Sequence, residues 1–146
     1  MPLTVISLAI FTKWWYALPI DAPDTMFSGF PLPFVCPGWH TSMSLQFFVL
    51  EFVIDLLAYF FFWIAIVFCI DRFVININPR KIVTIPLFIL TGLVIAGSGL
   101  IASNKENLFY LKRPFKMEIM TTGYQFIWQS TERPDYYKYH PEDKRE

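Results

Sequence analysis

The chain has 146 residues, of which 55% are hydrophobic, 19% are aromatic and 16% are charged. A soluble domain of this size rarely carries 16 phenylalanines, and their clustering in long apolar runs is typical of a membrane protein. Twelve basic and twelve acidic residues cancel, so the overall charge gives no basis for binding nucleic acid.

The first apolar segment, residues 3–18, is predicted to be a short membrane-spanning helix. It holds about sixteen residues, which is close to the lower limit for crossing a bilayer. Trp14, Trp15 and Tyr16 near its end resemble the aromatic belt of a membrane interface. A helix that lies in the plane of the interface is the alternative.

Residues 19–44 are predicted to form a loop on the outer side of the membrane. Prolines fix φ and remove backbone donors, so neither a helix nor a central strand is expected here. The segment has no Lys or Arg, which favours the outer side. Its prolines after Pro19 are Pro23, Pro31, Pro33 and Pro37.

Residues 45–70 form the longest apolar stretch and are predicted to be the second membrane span. Glu51 and Asp55 lie four residues apart in it and project from one face. Lys13 lies at a matching depth in the first predicted span, so we expect an intramembrane charge cluster of Lys13, Glu51 and Asp55. Alternatively, one of the two carboxylates handles a proton or a cation.

Residues 82–102 are predicted to be the third span. Small side chains recur along one of its faces and permit close approach of another helix. Packing within this chain and contact with a different subunit both remain open. The strip consists of Gly92, Ala96, Gly99 and Ser103.

The basic residues of the link between the second and third spans predict the orientation. Arg72, Arg80 and Lys81 favour the inside for this link. With three spans the N-terminus is then inside and the C-terminal tail outside, although basic residues in the tail favour the opposite side.

Residues 103–146 are predicted to be an extramembrane tail, separate from a membrane domain of residues 1–102. Apolar residues alternate with polar ones over 115–120 and 124–129, on either side of Thr121, Thr122 and Gly123. This pattern suggests a β-hairpin in the tail.

The sequence contains no motif for an enzyme. Cys36 and His40 are close in sequence, but His140 is the only other histidine and a metal site needs three or four ligands. Phosphate-binding glycine loops and paired CxxC motifs are also missing. We therefore predict no catalytic residues, no metal and no cofactor.

The first half of the chain resembles small uncharacterised bacterial inner-membrane proteins. The resemblance covers roughly residues 1–72 and depends on the short first span, the segment Gly29 to Phe34, and Asp55-Leu56-Leu57 followed by Tyr59 and Phe62-Trp63. It implies a multi-pass protein of the bacterial plasma membrane and brings no known activity.

Together these patterns predict an all-α membrane protein with three transmembrane helices. The predicted function is a non-enzymatic accessory or scaffold subunit of a larger membrane assembly. Its expected partners are the lipid bilayer and other membrane subunits or a second copy of itself. The alternative is an ion- or proton-handling subunit that uses Glu51 and Asp55.

Overall fold

A computed structural model shows a mixed α/β protein, so the predicted all-α fold is wrong. The structure describes residues 1–20, 23–41, 43–74, 81–130 and 132–139. The helices are α1 (Pro2–Ile10), α2 (Val49–Phe73), α3 (Lys81–Ala102) and α4 (Tyr136–Tyr139). The strands are β1 (Phe11–Pro19), β2 (Thr25–Ser28), β3 (Val35–Pro37), β4 (Leu45–Phe48), β5 (Leu108–Tyr110) and β6 (Met117–Phe126).

The described strands form one six-stranded sheet in the order β5-β4-β3-β2-β1-β6. Neighbouring strands are antiparallel except for β4 and β5, which are parallel. Strands β5 and β6 come from the predicted tail, yet they pair with strands that precede α2. The segments on the two sides of the helix pair α2–α3 therefore fold together as one sheet.

The predicted first span is in fact a helix followed directly by a strand. Helix α1 ends at Ile10, and Phe11 has the extended backbone angles φ −118° and ψ 126°. The aromatic residues after it alternate between the faces of β1, as side chains of a strand do. Strand β1 pairs with β2 on one side and with β6 on the other. The aromatic residues that suggested a membrane interface, Trp14, Trp15 and Tyr16, belong to an inner strand of the sheet.

The second long helix begins later than predicted, because residues 45–48 belong to the sheet. Gln46 and Phe48 are buried on one face of β4, and α2 starts at the next residue, Val49, without a loop. Helix α3 matches its predicted span to within one residue.

The predicted loop 19–44 contains two short strands that fit between its prolines. Strand β2 has four residues and β3 has three. Pro31 and Pro33 lie in the connection between them, and Pro37 is the last residue of β3. Because the strands are so short, none of these prolines interrupts one.

The hydrophobic core lies on one face of the sheet. It consists of Ala17, Phe27, Cys36 and Phe48, all fully buried or nearly so. The ring of Phe115, from the segment between β5 and β6, lies 6.1 Å from that of Phe27 and 5.9 Å from that of Phe48. The segment after α3 thus covers a core built mainly by residues before α2.

The predicted β-hairpin in the tail is also wrong, because Met117 to Phe126 form one continuous strand. Gly123 had suggested a turn. In the structure it pairs with Trp14 of β1, and a Cβ atom at this position would lie 2.6 Å from atoms of the Trp14 indole ring. The glycine makes room for a large neighbouring side chain, as glycines within strands often do.

Replacing Gly123 with valine is expected to lower the free energy of unfolding by about 2 kcal/mol, the usual scale for overpacking. The added side chain would collide with the Trp14 ring and outweigh the preference of valine for strands. Thermal unfolding of purified protein measures the change. The matched control is Gly97→Val, where a Cβ meets nothing within 4 Å. Equal stability of the two variants would contradict this packing.

Helix α1 packs against both α2 and α3. Helices α2 and α3 have 25 and 22 residues and mean hydropathies of 2.5 and 2.2. Both are therefore long and apolar enough to cross a membrane. Most of their large apolar side chains are exposed.

Candidate functional site: a polar row on α2

One face of α2 carries four hydrogen-bonding side chains at intervals of four residues, Glu51, Asp55, Tyr59 and Trp63. Side chains four residues apart share a helix face. The first three are buried, and each of the four forms a hydrogen bond with a residue outside α2. We call this set the polar row.

Glu51 holds the segment that follows β5. Its Oε1 accepts a hydrogen bond from the backbone N–H of Arg113 at 3.3 Å. The backbone N–H of Leu50 donates to the carbonyl oxygen of Leu111 at 3.0 Å. These two bonds place the residues after β5 along the first turn of α2.

Asp55 holds the connection between β2 and β3, residues 29–34, which we call the apolar loop. The Asp55 Oδ1 atom accepts a hydrogen bond from the N–H of Leu32 at 2.8 Å. The backbone N–H of Phe30 also bonds to this carboxylate. One acid side chain therefore receives two backbone donors from the loop.

The other backbone donors of the apolar loop are accounted for as well. The N–H of Gly29 donates to the Lys13 carbonyl at 2.9 Å, and that of Phe34 donates to the Ser28 carbonyl at 3.0 Å. The remaining two residues are prolines, which have no N–H. An irregular segment without spare donors can lie in apolar surroundings at little cost.

Tyr59 and Trp63 hold α1. The hydroxyl of Tyr59 donates to the carbonyl oxygen of Phe11 at 2.9 Å, where α1 meets β1. The indole N–H of Trp63 donates to the Ser7 hydroxyl at 2.8 Å. The polar row thus connects α2 to α1, to the apolar loop and to the segment after β5.

The structure does not bring Lys13 to the two acids. Lys13 belongs to β1, and its Nζ lies 3.7 Å from the centre of the Trp15 ring. The depth match assumed a helical rise of about 1.5 Å per residue, whereas a strand rises about 3.3 Å. The ion pair found among the described residues joins Arg133 and Asp24, whose Nη2 and Oδ1 atoms lie 3.0 Å apart.

Each acid of the row also has one oxygen to spare. Glu51 Oε2 and Asp55 Oδ2 are buried and have no hydrogen-bond partner among the described residues. No group of three or more possible metal ligands occurs in that part of the chain. Each of these two oxygens can accept a hydrogen bond or a proton.

The small-residue strip lies on an open face of α3. Gly92, Ala96, Gly99 and Ser103 are all exposed. A Cβ atom added at either glycine would meet nothing within 4 Å. The buried residue of α3 is Thr91, on a different face of the helix.

Cys36 contributes to packing. It is 1% exposed, and burial raises the pKa of its thiol to about 12, so the thiol stays neutral near pH 7. His40 is exposed. A neutral, buried thiol does not supply the nucleophile that the pairing of these two residues would need.

No protein-family model, curated protein or solved structure matches this chain. The resemblance to small bacterial inner-membrane proteins therefore stays a prediction.

Sequence reasoning missed half of the polar row. Glu51 and Asp55 stood out because they are charged, whereas Tyr59 and Trp63 were named only as part of the resemblance to bacterial inner-membrane proteins. The signal was present, because the interval of four residues continues from Asp55 to Tyr59 and on to Trp63. Polar atoms repeating along one face of an apolar helix indicate a face covered by protein.

Proposed function

We propose that this protein is a membrane-anchored, non-enzymatic subunit of a larger membrane assembly. Helix α2, with 25 residues, is about 37 Å long, enough to cross a hydrocarbon core of about 30 Å. Large apolar side chains are exposed along both long helices. Such an apolar surface suits lipid far better than water.

In the proposed orientation the sheet lies towards the outer side of a bacterial plasma membrane. The link between α2 and α3 is inside, because Arg72 and Lys81 flank it and Arg80 belongs to it. The N-terminal end of α1 lies near Asp71, at the same end of the helices as the link. Pairing of β6 with β1 supports an outer position for the tail despite its lysines.

The observation that carries the proposal is the open strip on α3. Helix α1 packs on α3 without covering Gly92 or Gly99, so the flattest face of α3 is left for another helix. In membranes such faces allow close helix packing. Outside the membrane, β6 offers a second contact, since this ten-residue edge strand has Glu118 as its only charge.

The double variant Gly92→Leu, Gly99→Leu is expected to convert the assembly to single copies of the chain. Leucine at both positions would hold an approaching helix away. The measurement is the mass of the complex purified from native membranes in mild detergent. The matched control is Gly97→Leu, at an open position off the strip. A wild-type protein that is already monomeric, or a complex that survives the double change, would refute the proposal.

The spare carboxylate oxygens favour a second candidate function, an ion- or proton-handling subunit that uses Glu51 and Asp55. Buried acids facing the interior of a membrane protein often mark proton pathways. Loss of proton or sodium flux into proteoliposomes on Asp55→Asn, with the fold intact, is the result that would support this function.

A further inference from the structure

One end of the sheet lies beside the middle of α2. The Tyr59 hydroxyl donates to the carbonyl oxygen of Phe11 at 2.9 Å, where α1 becomes β1. Tyr59 lies twelve residues before Asp71, the charged residue that closes the apolar part of α2, so the two are about 18 Å apart along the helix. With Asp71 at the inner boundary of a hydrocarbon core of about 30 Å, Tyr59 and Phe11 lie about 12 Å below the outer boundary.

Strand β6 brings exposed apolar side chains to the same depth. Phe126 pairs with Phe11, and the next backbone N–H, that of Ile127, donates to the carbonyl oxygen of Ile10 at 2.8 Å. Phe126, Ile127 and Trp128 are 39%, 70% and 70% exposed, and we call these three residues the apolar tip. Large apolar side chains exposed beside a membrane-spanning helix suit lipid far better than water.

Gln129 satisfies the edge of the sheet at the apolar tip. Strand β6 is an edge strand, and free N–H and C=O groups of an edge are not tolerated in lipid. Phe126 donates its N–H to Gln129 Oε1 at 2.9 Å, and its carbonyl oxygen accepts from the Gln129 N–H at 2.8 Å. Both backbone groups of Phe126 are therefore used within the chain, as immersion in hydrocarbon requires.

The apolar loop continues the surface of the tip. The ring of Phe11 lies 5.4 Å from that of Phe126 and 6.2 Å from that of Phe30 in the loop. Asp55, which holds this loop, is one helical turn nearer the outer boundary than Tyr59 and lies about 6 Å below it. The backbone donors of the loop are bonded, as described above, so it also meets the demands of an apolar environment.

The charges of β1 and β6 lie nearer the outer boundary. Strand β1 runs back along α2, since Ala17 packs in the core with Phe48, the residue before α2. Lys13 is two residues, about 7 Å, further out than Phe11, and its long side chain can reach the headgroups. Glu118 pairs with Leu18, about 23 Å beyond Phe11, and is therefore clear of the hydrocarbon.

We propose that the apolar tip and the apolar loop are immersed among the acyl chains of the outer leaflet. The sheet then stands partly within the bilayer, and the half of β6 that contains Glu118 projects from it. This inference rests on the membrane location proposed above.

The test is spin labelling of single cysteines in the full chain, reconstituted in vesicles of phosphatidylethanolamine and phosphatidylglycerol. Collisions of the label with oxygen increase with depth in the bilayer, and collisions with a water-soluble nickel chelate decrease, so their ratio measures depth. Ile127→Cys reports on the apolar tip. Cys69→Ser removes the exposed native thiol, and Cys36, at 1% exposure, stays unlabelled.

Two further labels supply the reference and the control. Leu93→Cys is the depth-matched reference, because Leu93 is 65% exposed and lies twelve residues after Lys81, at the inner end of α3. Ile119→Cys is the control, since Ile119 is the same residue type on the same edge, 47% exposed, near Glu118. The ratio at residue 127 is expected to equal that at residue 93 and to exceed that at residue 119.

The three labels distinguish the possible failures. A high ratio at residue 93 with equally low ratios at residues 127 and 119 overturns the immersion of the tip and leaves the membrane location standing. A ratio at residue 119 as high as that at residue 127 contradicts the assigned depths. A low ratio at residue 93 overturns the membrane location, and the inference with it.

Discussion

Replacing Gly29 with alanine is expected to destabilise the protein strongly. Gly29 has a φ of +149°, which strains other residues, and a Cβ atom there would lie 2.1 Å from the carbonyl oxygen of Leu32. The clash is with backbone, so no side chain can rotate to relieve it. We expect a loss of at least about 3 kcal/mol, the strain of the backbone plus the overpacking.

Thermal unfolding and limited proteolysis in nanodiscs measure this loss. The carbonyl oxygen of Gly29 also accepts a hydrogen bond from the Trp15 indole at 2.9 Å, so displacement of the apolar loop should expose β1 to protease. The matched control is Gly97→Ala, where the added Cβ meets nothing within 4 Å and helix propensity favours alanine. Similar stabilities of the two alanine variants would show that the loop is not held as described.

Replacing Asp55 with alanine is expected to release the apolar loop from α2. The N–H groups of Phe30 and Leu32 would lose their shared acceptor while remaining next to an apolar helix. Each unsatisfied buried donor costs about 1–3 kcal/mol, so the loss of the acceptor for both is expected to cost about 2–6 kcal/mol. Asp55→Asn keeps the acceptor oxygen Oδ1 and should therefore lose much less stability.

Hydrogen exchange at the Leu32 amide distinguishes the roles of Asp55. Fast exchange in Asp55→Ala with slow exchange in Asp55→Asn is the expected pattern. Ile54→Ala is the control, because Ile54 is the exposed neighbour of Asp55 on the same helix. Slow exchange in all three variants would rule out a docking role for Asp55.

The two long helices could be predicted because their segments are long and almost entirely apolar. Neither depends on a partner elsewhere in the chain, so its signal is complete within its own residues. Helix α3 was predicted almost to the residue for this reason. The start of α2 was missed because β4 is just as apolar and precedes the helix without a turn residue.

The sheet could not be predicted because its strands join residues far apart in sequence. Trp14 pairs with Gly123, more than one hundred residues later, and neither residue reveals the other. In isolation Gly123 resembles a turn and the aromatic residues of β1 resemble an interface. Local patterns are ambiguous wherever the deciding contacts are not local.

The acids of the candidate site were found by their charge, but their partners were not. The sequence suggested Lys13 as a counterion. In the structure, Asp55 and Glu51 instead accept hydrogen bonds from the backbone N–H groups of Leu32 and Arg113. Every residue except proline carries such a donor, so sequence composition cannot show which ones an acid will receive.

The strand order also has a consequence for how the protein is made. If the long helices cross the membrane, β1 to β4 reach the outer side before β5 and β6 have been synthesised. The sheet then cannot be completed until α3 returns the chain to the same side. A chain that fails to return would leave the outer edge of β1 unpaired and the core without Phe115. Completion of the sheet thus reports correct insertion, and an incomplete sheet presents the exposed edge and apolar face that chaperones and proteases recognise.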